Sequence, residues 1–306
     1  MAGKQALRTV QYGAPTDKCA VTVRLGIEKG IFEEEGLDLE VRVIFGGPEI
    51  AAAYDSGELE IGEFSSPPAI NALASGHRFK IIGSGCRQRA HLYFCVAKGI
   101  DGYDALKGKR VGVLGIGSCS DWITRKVVSH HGLDPDKDIE IVPLLGDYPR
   151  VVDLVADGTL DACMITEPNV AVGEERGVLD FWAAGYEDAY LPDYQWIVRV
   201  ARDELIDRDP DFVRAVLRGC RKSAHYAAAH TDEWIALAAR LYGASEQAAR
   251  RAVERELPNF QLDCRLDMAG LQAAADLQHK LGGIENPVRA EDLVDLRFVP
   301  DDQIAA

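Results

Sequence analysis

Apolar and polar positions divide the first 76 residues into segments of two kinds. Three segments alternate with a period of two or are continuously apolar, which predicts strands; they are RTVQYGA (8–14), LDLEVRVIF (37–45) and LEIGEFS (59–65). Three others have helical spacing or prolines in a first helical turn; they are CAVTVRLGIEKGIFEEEG (19–36), IAAAYDSGE (50–58) and SPPAINALASG (66–76). This alternating order predicts a largely parallel sheet with helices on its faces.

The same alternation then restarts. Strands are predicted at HLYFCVAKG (91–99), RVGVL (110–114), DIEIVPL (138–144) and DACMITEP (161–168), and helices at SDWITRKVVSHHGL (120–133) and PRVVDLVADGTL (149–160). From Pro210 onward the pattern is helical throughout. Two similar α/β halves predict two lobes that face each other across a cleft, with ligands at the carboxyl ends of the strands.

Charge and composition narrow the class of protein. The 306 residues include 34 basic and 49 acidic side chains, and the excess of acidic residues is spread along the chain. Nucleic-acid binding needs clustered Lys and Arg, so a nucleic-acid partner is not expected. No eighteen apolar residues run together, so membrane insertion is not expected either. The first fifteen residues lack a signal-peptide pattern, which predicts a cytoplasmic protein, or a periplasmic one if a signal has been removed.

Seven cysteines are present and none forms a CxxC pair. This favours reduced thiols and suggests neither a disulfide framework nor a zinc site. Four of the cysteines lie in apolar runs or helical segments and are expected in the core: Cys95, Cys163, Cys220 and Cys264. We expect no metal and no cofactor.

Four motifs, in this order along the chain, carry a family resemblance: RLGIEKGIFEEEGLDLEV, SGELEIGEFSSPPAINALASG, YDALKGKRVGVLGIGSCSDWITRKVV and VADGTLDACMITEPNVA. Together they resemble the type II periplasmic-binding-protein fold. The narrower resemblance is to the group of sulfonate, taurine and nitrate receptors and thiamine-pyrimidine-precursor (NMT1/THI5-like) proteins. It implies an α/β, two-lobed protein with central mixed, mostly parallel sheets and C-terminal helices. Lobe one would be 1–95 plus 196–306, and lobe two 96–195.

The turn GIGSCSD (115–121) is the first candidate ligand site. Gly117 lets backbone approach a ligand, and the N–H groups at the start of the following helix favour an anion. In the resembled receptors this turn holds the acid group of the ligand, which implies contacts from Ser118, Cys119 and Ser120. The alternative is that a serine only caps the helix.

Other strand ends supply further candidates. The predicted ligand-binding residues outside that turn are Asp17, Gly47, Ser65, Ser66, Arg87, Glu167 and Trp196. A guanidinium at Arg87 would select a carboxylate, sulfonate or phosphate. Helix capping by the serines, pairing or capping by Glu167 and core packing by Trp196 are the structural alternatives.

Two functions remain open from the sequence. The first is binding of a small organic anion or heterocycle (carboxylate, sulfonate or pyrimidine-like) in the cleft, as in a solute-binding protein, with an ABC permease as partner if the protein is exported. The second is a cytoplasmic cysteine-dependent enzyme of the desulfinase, decarboxylase, lyase or hydrolase type on the same scaffold. Its nucleophile would be Cys19 or Cys119, with His91 as the base that could meet Cys119.

Overall fold

The computed structural model describes residues 7–86, 89–191, 194–299 and 304–305, which fall into two compact units. Of these residues, unit 1 contains 7–86, 194–241, 259–299 and 304–305. Unit 2 contains 89–191 and 242–258. The expectation placed the whole C-terminal tail in lobe one, whereas residues 242–258 group with unit 2.

The strands are β1 (Arg8–Ala14), β2 (Leu37–Val43), β3 (Ile61–Ser65), β4 (Phe79–Ser84), β5 (Tyr93–Ala97), β6 (Lys109–Val113), β7 (Ile139–Pro143), β8 (Ala162–Ile165), β9 (Leu179–Ala184), β10 (Ile197–Arg202), β11 (Leu266–Asp267) and β12 (Ile304–Ala305). The helices are α1 (Val21–Glu28), α2 (Ile31–Glu34), α3 (Gly47–Ser56), α4 (Ser66–Ala74), α5 (Cys119–His130), α6 (Val151–Ala156), α7 (Asn169–Glu175), α8 (Asp203–Arg208), α9 (Pro210–Ala229), α10 (Thr231–Tyr242), α11 (Glu246–Glu256), α12 (Met268–Lys280) and α13 (Ala290–Leu293). Short 3₁₀ turns are formed by Tyr103–Leu106, Leu145–Arg150, Leu257–Asn259 and Leu296–Phe298.

The sheet of unit 1 has the strand order β2-β1-β3-β10-β4. Strand β1 pairs in parallel with β2 and β3, as the βαβ pattern predicts. Strand β10, which follows the passage of the chain back into unit 1, enters between β3 and β4 and is antiparallel to both. The sheet is therefore mixed.

Unit 2 repeats this arrangement with the order β7-β6-β8-β5-β9. Strand β6 is parallel to β7 and β8, while β5 is antiparallel to β8 and β9. In each unit the antiparallel strand follows a point where the chain crosses from one unit to the other. This strand is β5 at the start of unit 2 and β10 on the return to unit 1. The two halves inferred from the sequence thus share one topology.

The core of unit 1 lies between its sheet and helices α1 and α9. Helix α9 buries Phe212, Val216 and Cys220 among others on one face, a helical spacing typical of an amphipathic helix. Helix α1 approaches α9 closely at Gly26, where an added Cβ would lie 1.8 Å from Oγ of Ser223. The small residue therefore allows the two helices to pack directly.

Unit 2 has its own apolar cluster around β5, β8 and α6. Helix α11 packs against α7 of this unit through buried alanines, Ala171 against Ala248 and Ala252. Arg255 of α11 adds ion pairs to Glu167 and Glu174. These contacts explain why residues 242–258 belong to unit 2 and not to unit 1 with the rest of the tail.

Some predicted elements differ in detail. The helix expected over 19–36 is divided into α1 and α2 at Gly30, whose φ of 71° is left-handed. The tail is not helical throughout, since a segment without α-helix follows α11 and contains Cys264 in a turn with φ of 57°. Cys264 is half-buried, so its expected place in a helical core is wrong. Among the described helices, none has the length and apolar character needed to cross a bilayer.

Candidate functional site

The turn between β6 and α5 in unit 2 carries the first set of predicted ligand residues. Ser118 is the N-cap of α5 and accepts a hydrogen bond from the N–H of Asp121, 3.4 Å away. The hydroxyl groups of Ser118 and Ser120 are 2.8 Å apart, and the Ser120 hydroxyl accepts from the Leu114 N–H at 2.9 Å. The structure therefore brings Gly117, Ser118, Cys119 and Ser120 together, with the serine hydroxyls already engaged in the turn.

Asp121 gives this turn an internal negative charge. Its side chain is 1% exposed, accepts from the Gly117 N–H at 2.8 Å and pairs with Arg125 at 2.8 Å. The carboxylate thus occupies one of the backbone donors that an anionic ligand would use. The turn is a self-bonded cap whose remaining anion-binding capacity comes from the first N–H groups of α5.

The sequence contained a signal for this arrangement. Ser118-Cys119-Ser120-Asp121 has the spacing of a capping box, in which the cap hydroxyl bonds the backbone three residues on and the acidic side chain reaches back. Here the reach is to Gly117, one residue before the cap. Sequence reasoning treated the serines and glycines and missed the acidic member.

In unit 1, the loop after β1 places Asp17 and Cys19 at the start of α1. Asp17 forms an ion pair with Arg24, one turn into that helix. The Cys19 N–H donates to the Thr16 hydroxyl at 3.2 Å, and that hydroxyl lies 3.5 Å from Sγ of Cys19. Cys19 is half-buried, so its thiol is held locally by Thr16.

The second strand-to-helix turn of unit 1 separates two serines that the sequence treated alike. Ser66 is fully buried, its hydroxyl donates to the carbonyl of Gln195, and its N–H donates to the Trp196 carbonyl at 2.6 Å. Ser65 is half-buried and shows no side-chain capping bond to α4. Trp196 is 7% exposed. Ser66 thus bonds the start of α4 to the backbone before β10, which leaves Ser65 as the better placed hydroxyl for a ligand.

Gly47 has a packing reason for its small size. A Cβ added there would lie 2.5 Å from the ring of Pro68 in α4. A real Cβ cannot approach that closely without a shift of one helix. Close contact between α3 and α4 therefore accounts for this glycine.

Glu167 lies two residues after the end of β8 in unit 2 and is 2% exposed. One carboxylate oxygen accepts from the Ala171 N–H at 3.0 Å, and the other pairs with Arg255. Burial alone would lower the pKa of Arg255. The Glu167 and Glu174 carboxylates outweigh this effect, so the pKa of Arg255 is raised. Both structural alternatives considered for Glu167, pairing and capping, are present.

The residues predicted for catalysis have different surroundings. His91 is fully buried in unit 2, where Nδ1 lies 3.7 Å from a Glu256 oxygen and the ring packs edge-on to Tyr186. Cys119 begins α5 and is half-buried. Arg87 lies outside the described residues.

A buried polar network in unit 1 was missed by sequence reasoning. Arg199 of β10 is 1% exposed; Nε donates to the Tyr12 hydroxyl at 3.2 Å and lies 3.6 Å from the Glu63 carboxylate. Tyr12 donates to Glu63 at 3.0 Å, and burial raises the pKa of Tyr12 well above its usual value. Arg199 and Glu63 are opposite each other in the β3–β10 register. The sequence signal for this network was a charged residue in the interior of an otherwise apolar strand, Glu63 in IGEFS and Arg199 in IVRVAR.

A family model, curated relatives and solved structures are similar to this chain. The family described as NMT1/THI5 like matches residues 21–234. YtlA of Bacillus subtilis, which is named as a binding protein, is 24% identical over 211 residues, covering 68% of this chain and 62% of YtlA. The alkanesulfonate-binding protein SsuA from Xanthomonas axonopodis pv. citri, bound to MOPS, has a TM-score of 0.76 at 18% identity, covering 96% of this chain and 99% of its own.

The periplasmic aliphatic sulphonate binding protein SsuA from Escherichia coli has a TM-score of 0.73 at 18% identity, covering 95% of this chain and 93% of its own. These structural similarities confirm the predicted α/β periplasmic-binding-protein fold with mixed sheets. The Escherichia coli protein is described as periplasmic.

Proposed function

Since the chain belongs to the NMT1/THI5-like family, we propose that it is a solute-binding protein for a small organic anion, with sulfonates as the preferred class. The observation that carries the proposal is the match of this family over residues 21–234. The sulfonate class is taken from the alkanesulfonate-binding protein of similar fold. The affinity for sulfonates is to be compared with the affinities for small carboxylates, nitrate and pyrimidines.

In unit 2, the proposed ligand contacts are the Ser118 and Ser120 hydroxyls, Cys119 and the first N–H groups of α5. The Asp121 carboxylate accepts from the Gly117 N–H and adds negative charge to this turn. Because fewer donors remain and a dianion would be repelled, the turn favours a weakly basic monoanion and disfavours a phosphate dianion. Sulfonates and nitrate have this property.

In unit 1, the proposed contacts are Asp17, Ser65 and the Trp196 ring. Asp17 is paired with Arg24, so the loop can present both an acceptor and a cation to a zwitterionic ligand. The sequence adds Arg87 as the residue proposed to bind the acid group. Ser66, Gly47 and Glu167 have the structural partners described above.

The enzymatic alternative is not favoured. YtlA and the two SsuA proteins are named for binding. His91, the predicted base, is fully buried and its contacts include Glu256 and Tyr186. We infer a binding role for the half-buried thiols of Cys19 and Cys119, without covalent chemistry.

We also propose that the protein acts in the periplasm and delivers its ligand to an ABC permease. The support is the periplasmic description of the Escherichia coli protein of similar fold. Fractionation of the source organism, with antibody detection of the native protein, is expected to find it with periplasmic markers. Recovery with cytoplasmic markers alone would contradict this location.

Ligand binding is tested by thermal unfolding of the full chain with MOPS, taurine, acetate, nitrate and a methylpyrimidine. A ligand at a hundred times its Kd stabilises the folded state by about 2.7 kcal/mol. We expect at least one sulfonate to raise the Tm, and isothermal titration then gives its Kd. The absence of stabilisation by every sulfonate would refute the ligand class.

The contact at α5 is tested by Ser118→Ala, with Ser129→Ala as the matched control at the exposed end of the same helix. Loss of a hydrogen bond to a charged ligand is expected to weaken binding about tenfold. Ser129→Ala is expected to leave the Kd unchanged. Equal Kd values for the two variants would exclude this turn from the ligand site.

A further inference from the structure

Unit 1 contains a cavity of about 230 Å³ outside the predicted ligand residues. It lies between the end of β4, the polar face of α9 and the 3₁₀ turn Leu296–Phe298. Its charged lining consists of Arg199, Arg214, Arg218, Arg221, Arg297 and Asp263. In a chain of net charge −15, this concentration of guanidinium groups makes a local site for anions.

The arginines differ in how far they are neutralised. Arg218 pairs with Glu35 at 2.9 Å and Arg297 with Asp295 at 2.6 Å. Arg221 has no ion pair with any carboxylate in the described part of the chain. Arg214 pairs with Asp211 at 3.0 Å and Arg199 lies 3.6 Å from the Glu63 carboxylate, so among the described lining residues Arg221 is the guanidinium left to bind an anion.

Cys264 lies on the wall of this cavity, and Cys86 lies directly beside it. The two Sγ atoms are 3.2 Å apart. Backbone bonds hold both residues, since the Gln261 N–H donates to the Cys86 carbonyl at 2.8 Å and the Cys264 N–H donates to the Gln261 carbonyl at 3.0 Å. The sulfur atoms are thus kept in contact by the fold of unit 1.

The two thiols are not equivalent. Cys86 is 1% exposed, whereas Cys264 is half-buried and borders the cavity. The hydrogen bond between the two sulfur atoms, opposed by burial and aided by the Arg199 guanidinium, lowers the pKa of Cys264 to about 7. The same interaction, together with burial, raises the pKa of Cys86. Cys264 is therefore the more readily ionised of the two thiols.

Arg199 lies on the buried side of the cysteine pair and lowers the pKa of both thiols. Its Nη2 lies 3.5 Å from Sγ of Cys86, and Nη1 donates to the Ser84 carbonyl at the end of β4. It is the same guanidinium that bonds Tyr12 and neighbours Glu63. The cysteine pair is therefore part of a rigid, charged network.

We propose that Cys264 and Cys86 form a thiol–disulfide exchange site, in which the arginine-lined cavity receives a small disulfide that carries carboxylates. This site goes beyond the proposed binding of an organic anion and does not depend on it. Cys264 is the attacking residue and Cys86 the resolving one.

The exchange has two steps. The Cys264 thiolate attacks one sulfur of the disulfide RSSR, which forms Cys264–S–S–R and releases RS⁻. The Cys86 thiol then gives its proton to RS⁻ through solvent, and its sulfur attacks Sγ of Cys264 and releases the second RS⁻. The second RS⁻ takes up a proton from solvent, which balances the proton that Cys264 lost when it became a thiolate. The cysteine pair loses two electrons, and RSSR is reduced to two RSH.

The test uses the reduced full chain with glutathione disulfide as the probe, acid quenching, alkylation and peptide mass spectrometry. We expect one intramolecular disulfide, between the peptides that contain Cys86 and Cys264. Cys86→Ser is expected to stop at a mixed disulfide on Cys264, and Cys264→Ser to leave Cys86 unmodified. Failure of the wild-type chain to form this disulfide would overturn the proposal.

A second cysteine pair serves as an internal control. Cys95 and Cys163 are directly opposite each other on β5 and β8 and are fully buried. Burial raises the pKa of Cys163 to about 12, so this pair is expected to remain reduced. Oxidation of both pairs at one rate would show general thiol oxidation and refute a specific site.

The role of the cavity is tested by charge. Arg214→Gln/Arg221→Gln is expected to slow the reaction with glutathione disulfide about tenfold and to leave that with neutral bis(2-hydroxyethyl) disulfide unchanged. Arg150→Gln/Arg176→Gln removes the same charge from the exposed surface of unit 2 and is expected to change neither rate. Equal slowing with both disulfides would refute the anion-binding role. The wild-type rate is expected to reach half its maximum near pH 7.

Discussion

The ion pair between Glu167 and Arg255 gives the sharpest test of how unit 2 is held together. Removing the cation with Arg255→Met leaves Glu167, which is 2% exposed, without its charged partner. Breaking a buried pair in this way costs about 3–5 kcal/mol. Because the Arg255 side chain is 21% exposed, we expect about 3 kcal/mol, the lower end of that range.

Neutralising the other partner is expected to cost less. In Glu167→Gln, the side-chain amide oxygen still accepts from the Ala171 N–H, and Arg255 keeps its bond to Glu174 at 2.7 Å. The expected loss is about 1–1.5 kcal/mol, the value of one hydrogen bond of intermediate strength. The double variant is expected to cost at least about 1 kcal/mol less than the sum of the single variants, since the two residues interact directly.

The assay is urea unfolding, combined with hydrogen exchange of the peptides that cover α7 and α11. Exchange separates a loss confined to unit 2 from global unfolding. Arg250→Met is the matched control, because it removes an arginine from the exposed side of α11, where the pair with Glu246 is worth less than about 0.5 kcal/mol. Equal destabilisation by Arg255→Met and Arg250→Met, or strict additivity in the double variant, would refute the reasoning.

Three further outcomes follow from the described contacts. Ser118→Ala removes the cap of α5 and is expected to cost about 1 kcal/mol in urea unfolding, with faster hydrogen exchange in its first turn. Arg199→Met leaves Glu63 buried without its cation and is expected to cost about 3–5 kcal/mol, so a loss below that of Ser118→Ala would contradict the buried network. The Phe212 N–H lowers the pKa of Asp209, so the stability from this charge is complete above the unfolded pKa and is lost as pH falls through the lower folded pKa. Asp209→Ala should therefore cost about 1 kcal/mol at pH 7 and less near pH 3 in urea unfolding; a constant difference would contradict this.

The local pattern predicted the α/β class, and the family resemblance predicted the narrower fold. Strand β1 begins and ends where the alternation of RTVQYGA does, and the family resemblance and the α/β class are confirmed. The positions of β5 and β10 were not predictable, because pairing with strands far away in the chain decides where an isolated apolar segment enters a sheet. The prediction of largely parallel pairing missed the two antiparallel neighbours that each of these strands has.

The sequence predicted which strand-to-helix turns carry the candidate site, but it predicted the contacts of individual residues less well. Ser66 and Ser65 are equivalent in sequence, yet the β3–β10 pairing buries one and leaves the other accessible. The partners of Glu167 and Cys264 lie 88 and 178 residues away, and no local pattern contains such separations. Contacts of this kind are fixed by tertiary packing.

Helix α11 has a practical consequence for dividing the molecule. The chain passes between units after residues 88, 193, 241 and 258, so unit 2 is built from two segments separated by residues 194–241 of unit 1. A fragment covering 89–193 would lack Arg255 and the alanine face of α11, which would leave Glu167 without its cation and Ala171 in water. An autonomous version of this unit would need α11 rejoined to residues 89–193 by a new linker in place of residues 194–241, because truncation alone removes the helix.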